Sequence, residues 1–443
     1  MRTALSAAIL TFLLATTHLV QVHTGGGTDV GAEVGAVDIP GTPGAAQVLP
    51  TPNLGKCRTV MQEVPFLYST QLYGDALESI ALVPQPQSTP GILNGLVGWG
   101  VGGHRGPGPE RPLIRGLHVD TVGAYSWQPV SFPFSHPYST SLKSVAARTN
   151  SDAWAVGYSQ DALYSGQPFA SHWNGAQWQE VAVPNPAPSS GFAKLNAVKF
   201  GPGGDVWASG FYVANFNQNY PRLPFMVRYD PAAGAWSAVA LPAPLYDDNR
   251  PERLEFMGND MWVVGNGNMT GDAGSHPFVL QKQGASWNYL SLPPELAVGG
   301  SYISSMSGSG SGADMWISGY TPAGNYTLQP LFFRYRSSSG SWENIALPPQ
   351  AAGLFAAPVA ASADGNVWMG LQVSSGKPSG MRYAPQSGTY IVMPVTPDPH
   401  NGTGITTLAT SGSNVWMGGS YWDPSIHGLQ SVTYRAVASL DCH

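Results

Sequence analysis

Residues 152–158 read DAWAVGY. Close variants return as DVWASGF from Asp205, DMWVVGN from Asp260 and DMWISGY from Asp314, then as NVWMG from Asn366 and NVWMGGS from Asn414. With Trp99 included, the tryptophans stand at 99, 154, 207, 262, 316, 368 and 416, spaced by 48 to 55 residues. A second landmark trails each of the first six. YSWQPVSFP ends at Pro133, AQWQEVAVP at Pro184, GAWSAVALP at Pro242, ASWNYLSLP at Pro293, GSWENIALP at Pro348 and GTYIVMP at Pro394. A fixed period of this length marks a supersecondary module that stacks on copies of itself.

One period parses into four strands. SLKSVAAR (141–148) is the first and AWAVGY (153–158) the second. FASHW (169–173) is the third, and WQEVAV (178–183) follows it across an Asn-Gly hairpin signal. Four strands in about 50 residues match one propeller blade. The expected fold is therefore all-β: a seven-bladed β-propeller of four-stranded antiparallel blades, spanning 57–443. Along the second strand Trp154, Val156 and Tyr158 share one face, Ala155 and Gly157 the other. Each tryptophan is expected to pack onto the next blade, where small residues leave room. Burying one removes ~150–250 Å² from water, worth at most about 4–6 kcal/mol. That assigns these seven to structure rather than to sugar stacking. A polar residue recurs late in the third strand (His172, Arg228, Gln281, Arg334, Arg382). The parse sets Arg228 against Asp205 and Arg334 against Asp314, as ion pairs at the blade end.

Composition agrees. The 443 residues are 43% hydrophobic and only 10% charged, with 54 Gly, 39 Pro and 14 Trp. Few charges among many turn formers and aromatics favour strands. A net charge of −6 leaves no basic footprint for nucleic acid. Residues 1–24 read as a signal peptide: Arg2 precedes an apolar run from Ala4 to Ala15, too short for a bilayer span. A retained N-terminal anchor is the alternative. Residues 25–56 form a Gly/Pro/Ala-rich linker. The expected location is extracytoplasmic, as a monomer without cofactor or metal.

The seventh period lacks a fourth strand after LQSVTYRAV (429–437). TVMQEVP (59–65) resembles the fourth-strand landmark, with Met61 in the tryptophan place, and is expected to complete the last blade. Cys57 and Cys442 flank this junction, and a disulfide between them would lock it. Two free thiols are the alternative.

These residues resemble secreted β-propellers of tandem Trp/Gly repeats, broadly of the kelch and galactose-oxidase type or the sialidase Asp-box type. VGG at 101–103 and MGG at 417–419 carry part of the kelch pattern, and SADGNVW (362–368) a compressed Asp-box. The resemblance implies fold, not activity.

Function is expected in the longer loops, which join second to third strands and one blade to the next. Residues that break the repeat are the freest to serve a ligand. Tyr212, Tyr246, Tyr421 and Trp422 are such aromatics, with Tyr164, Phe216, Tyr220 and Tyr326. Asp247, Asp248 and Arg250 form the densest charge cluster, and Arg105 stands in another with Glu110 and Arg111. Aromatics beside carboxylates suit recognition of a glycan or a protein segment, although packing within their own loops explains them equally. A glycosidase reading would need Asp247 or Asp248 to converge with Asp161 or Asp423. An arginine-based acidic-sugar site would draw on Arg105, Arg222 and Arg250. A surface protein without any small-molecule site is a third reading.

Overall fold

A computed structural model describes residues 59–438, apart from 65, 67–73, 85–94, 105–107, 133–137, 162–164, 216–220, 273, 310–311, 324–327, 352–357, 373–377, 396–402, 413 and 425–427. The chain divides into Met1–Gly44, which lies outside the described residues, and Ala45–His443, which holds every described strand. Cys57, Cys442 and the segments read as signal peptide and linker also lie outside them. Among the described residues there is no α-helix, and no helix long and apolar enough to cross a membrane.

The strands form antiparallel meanders of four. Their first strands are Asp75–Leu82, Thr140–Thr149, Phe192–Phe200, Asp248–Met257, Tyr302–Gly308, Val359–Ala361 and Gly404–Ser411, which number modules one to seven here. Modules two and three share one sheet through a single parallel pair, Phe192 with Gly166. The seventh module is completed from the N-terminus. Thr59–Val64 pairs antiparallel with Gly428–Ala438, from Thr59 opposite Ala438 to Val64 opposite Thr433. Met61 fills the expected aromatic place and is fully buried.

Six of the seven second-strand tryptophans meet aromatic side chains of the following module, while Trp368 joins the cluster around Met61 and Met417. Trp99 lies 4.9 Å from Trp178, Trp154 5.2 Å from Trp236, Trp262 5.1 Å from Tyr335 and Trp316 5.7 Å from Tyr383, centroid to centroid. Trp416 reaches Trp127 of module one at 5.8 Å. The cores follow this pattern: each cluster joins residues of two consecutive modules, and one joins module seven to module one. Trp207 is only partly buried. Its indole N–H donates to Asp205 at 2.8 Å.

The recurrent polar residue sits directly across from the tryptophan in register: His172 opposite Trp154, Arg228 opposite Trp207, Arg334 opposite Trp316. The expected pairs form, Arg228 with Asp205 and Arg334 with Asp314, both at 2.6 Å. Each guanidinium also covers an indole, at 5.5 and 5.2 Å from the ring centroid. One residue type thus neutralises an acid and caps an aromatic.

The recurring glycine has a different role from the expected one. It does not make room for a neighbouring tryptophan. A Cβ at Gly157 would stand 1.9 Å from the carbonyl oxygen of Ser141, and one at Gly210 1.9 Å from that of Lys194. Just beyond this crowded point the first strands carry β-bulges, leaving Glu78, Lys143, Asn196, Glu252, Ser304 and Thr406 unpaired in the register. A bulge bends the strand and re-aims side chains, and the bent backbone needs the space a Cβ would take. Next to the bulges, hydroxyls stitch modules together. Ser79 accepts from Val145 N, Ser144 from Val198 N, Ser305 from Val359 N and Thr407 from Ile80 N, at 3.1–3.3 Å.

These contacts order the expected losses on denaturant unfolding. Trp262→Ala removes a fully buried indole and costs about 3–5 kcal/mol. Gly157→Ala costs ~1–3 kcal/mol through overpacking. Arg228→Ala, whose side chain is 49% exposed, stays within about 1 kcal/mol. Equal losses for Trp262→Ala and Arg228→Ala would contradict this account of the core.

Candidate functional site

The first strands of all seven modules line one cavity of about 410 Å³. Its wall is rich in hydroxyls, including Ser79, Ser144, Ser305, Thr406 and Thr407, with Glu78 and Lys143 from the bulges. The Lys143 amine binds Glu78 at 2.7 Å. Burial alone would lower this amine, but Glu78 outweighs burial and raises it.

Two residues before each bulge the modules differ. The position holds Ala76, Ser141, Lys194, Arg250, Tyr302 and Gly404 in modules one to five and seven. Three polar side chains thus come from three consecutive first strands, near their starts, at the end from which the long loops leave. The Lys194 amine rests 4.9 Å from the Phe211 ring centroid, and Arg222 covers the same ring at 5.6 Å. Lys194 has no ion pair or hydrogen bond at its amine among the described residues. Although its surface is only partly covered, protein surrounds it on the scale over which charge is felt. Burial pushes its pKa down to about 8, against the pull of Glu252.

Arg222 is tied to Asp248. Its backbone N–H donates to one carboxylate oxygen at 2.8 Å, and its guanidinium lies 3.7 Å from the other. Arg250 donates to Asn268 Oδ1 at 3.0 Å, while its Nε–H is buried without a partner among the described residues. Tyr302 stacks on Tyr320, 5.3 Å apart and within 10° of parallel. Burial, helped by the charge of Glu252, pushes Tyr302 up to about 12, so its hydroxyl stays protonated and able to donate. The Arg222 guanidinium feels Asp248, Arg250, Glu252 and Tyr302, so these groups share one electrostatic neighbourhood.

The residues expected from sequence land unevenly. Asp248 and Arg250 belong to this constellation, with Arg222. Asp247 is exposed and accepts the Thr270 N–H at 2.6 Å, which holds its carboxyl below the usual range. Tyr246 donates its hydroxyl to the Pro277 carbonyl at 3.1 Å, with its ring 5.5 Å from His276. Tyr212 is half-buried 6.4 Å from Phe225. Both serve packing. Tyr421 packs against the cluster around Met61 and Tyr434, while Trp422 is 55% exposed in module seven. Arg105, Tyr164, Phe216, Tyr220 and Tyr326 lie outside the described residues. Asp248 and Arg250, expected in a loop, stand with Glu252 in the strand Asp248–Met257, and Lys194, Tyr302 and Tyr320 drew no notice because each lies in an ordinary strand segment. Aligning the periods on the Trp-x-x-Gly core exposes Lys194 and Tyr302 as departures at one position.

No protein-family model and no curated protein sequence matches the chain. Among solved structures, one described as that of YjhT is similar at 14% identity and a TM-score of 0.45, over 75% of this chain and 99% of that one. A protein of unknown function from Dyadobacter fermentans DSM 18053 is similar at 9% identity and a TM-score of 0.47, over 87% of this chain and 100% of that one. Likeness at this level carries no argument about function.

The depressed Lys194 amine is measurable. Competitive acylation read by mass spectrometry should show Lys194 gaining reactivity with a midpoint near pH 8, with Lys143 lagging beyond its ordinary 10.5. The folded state holds the Lys194 proton less tightly than the unfolded chain. This group therefore makes stability rise with pH between about 8 and 10.5. Equal midpoints for the two lysines would refute the assigned environments.

Proposed function

We propose that the chain is a secreted seven-bladed β-propeller that binds a carbohydrate, peptide or cell-surface ligand at its long-loop end without transforming it. Support for the propeller comes from contacts that run from module to module and return to the first. First strands neighbour one another in sequence order, and Gly404–Ser411 neighbours Asp75–Leu82. The cavity lined by all seven first strands is then the central channel. Secretion rests on the N-terminal reading of 1–24.

The observation that carries the binding role is the constellation of Lys194, Arg222, Asp248, Arg250 and Tyr302. Recurrent charges such as Arg228 and Arg334 have counterparts in neighbouring modules and a packing reason. This constellation departs from the repeat and holds donors the fold does not use. A purely structural role leaves it unexplained. Hydrolysis is the weaker reading, because the carboxylates it would use are engaged in turns or pairs. Asp161 accepts Ser165 N–H at 3.0 Å, Asp247 accepts Thr270 N–H, and Asp248 holds Arg222.

The pairing of Thr59 with Ala438 draws the two ends of the described chain together. A Cys57–Cys442 disulfide is accordingly proposed to lock the ring. Non-reducing peptide mapping should recover the two cysteine peptides as one species, and two alkylated thiols in the secreted protein would remove the lock.

The binding role is tested on a panel of neutral and acidic glycans and peptides, with each ligand analysed after incubation. The expected result is retention of at least one ligand unchanged, weakened about tenfold by Arg250→Ala. Conversion of the ligand would refute the non-catalytic reading, and an empty panel would refute binding.

A further inference from the structure

Building on that binding role, the geometry points to an anionic recognition group on the ligand. We propose that one carboxylate or phosphate is held between the Lys194 amine and the Arg250 guanidinium, with the Tyr302 hydroxyl as a third donor.

The first argument is charge accounting. Lys143 has Glu78 at 2.7 Å, and Arg222 has Asp248. Lys194 and Arg250 form no ion pair among the described residues, and the nearby uncommitted carboxylate is Glu252. That carboxylate already faces Asn196, whose amide nitrogen is 3.5 Å away and also donates to the Pro251 carbonyl at 2.7 Å. Glu252 thus attracts Lys194 without bonding to it, and Arg250 has no carboxylate bonded to it among the described residues. An anion from outside restores the balance.

The second argument is hydrogen-bonding capacity. A lysine amine has three donors and a guanidinium five. Lys194 offers all three. Arg250 uses one N–H on Asn268, and its Nε–H is buried and unsatisfied. A buried donor left without an acceptor is costly, and a charged one more so. Arg250 presents the fork geometry that suits a carboxylate or phosphate edge.

The third argument is placement. Lys194 and Arg250 occupy the same register position on adjacent first strands, opposite Phe211 and Asn266. Tyr302 occupies that position on the next, opposite Tyr320. The three come from rigid strands rather than loops, so their donors are held in place before a ligand arrives. Phe211, 8% exposed, forms an apolar floor under Lys194. It keeps water from one side of the amine and strengthens its attraction for an anion.

The test is calorimetric titration of the full chain with four probes: inorganic phosphate, D-glucuronate, D-glucose 6-phosphate and D-glucose. At least one anionic probe should bind, at least tenfold tighter than D-glucose, and weaken as salt is added. Preference for glucuronate over the two phosphates identifies a carboxylate ligand, and the reverse preference a phosphate. Lys194→Gln should weaken the anionic probe about tenfold or more, Lys194→Arg should largely restore it, and Tyr302→Phe should weaken it less. Arg250→Ala should weaken the anionic probe about tenfold, and where it fails to fold Arg250→Lys serves and should also weaken binding. If D-glucose binds as tightly as the anions, or Lys194→Gln leaves the anion unaffected, the anionic assignment is wrong while a binding role stands. If no probe binds, the anionic assignment falls, and if the wider panel is also empty the binding role falls with it.

Discussion

The structure depends on an indole reaching across a gap between two sheets. In six of the seven periods the second-strand tryptophan reaches past its own four strands to aromatic side chains of the next module, as Trp154 does with Trp236 and Trp416 with Trp127. No module buries this ring alone. Each supplies an indole to one neighbour and aromatic partners to the other, so stability is shared between modules. The contact from Trp416 back to Trp127 makes the last module depend on the first. The pairing of Thr59–Val64 with Gly428–Ala438 serves the same end through the backbone.

The inner edge follows from that packing. Holding the sheets at this spacing brings the first strands close enough for Ser79, Ser144, Ser305 and Thr407 to bond the neighbouring backbone. The bulges that turn these strands bring Glu78, Lys143 and Thr406 to the cavity wall, and the glycine opposite each bend leaves room for the carbonyl. The regular parts of this edge are interchangeable among modules. The candidate site arises where they are not, at the position shared by Lys194, Arg250 and Tyr302. Its chemistry is thus set by departures from a repeat whose regularity supplies the rigid mount.

Much of this was legible beforehand, for identifiable reasons. The four-strand parse around Trp154 and the completion by residues 59–64 came from local pattern, because a strand's face alternation and a turn's residues are local properties. The Arg228–Asp205 and Arg334–Asp314 pairs were legible because the second and third strands run antiparallel, which sets the start of one beside the end of the other. The site was legible in part. Asp248 and Arg250 drew notice as a dense charge run, but Lys194 and Tyr302 look like ordinary strand residues until modules are superposed. Tyr212 and Tyr246 looked free because both read as loop residues, although Tyr212 is paired within the strand Val206–Val213.

The sequence by itself determined the strand order within a period, the number of periods and the residue that bridges them, since these are written in spacing and alternation. Only the tertiary structure decided why the glycine recurs, where the bulges fall and which charges lack partners. The first two depend on how closely paired strands of one module approach, the last on side chains from segments more than fifty residues apart, such as Lys194 and Arg250. Lys194, Arg222, Arg250 and Tyr302 are brought together by three neighbouring sheets, and no stretch of the chain records that meeting.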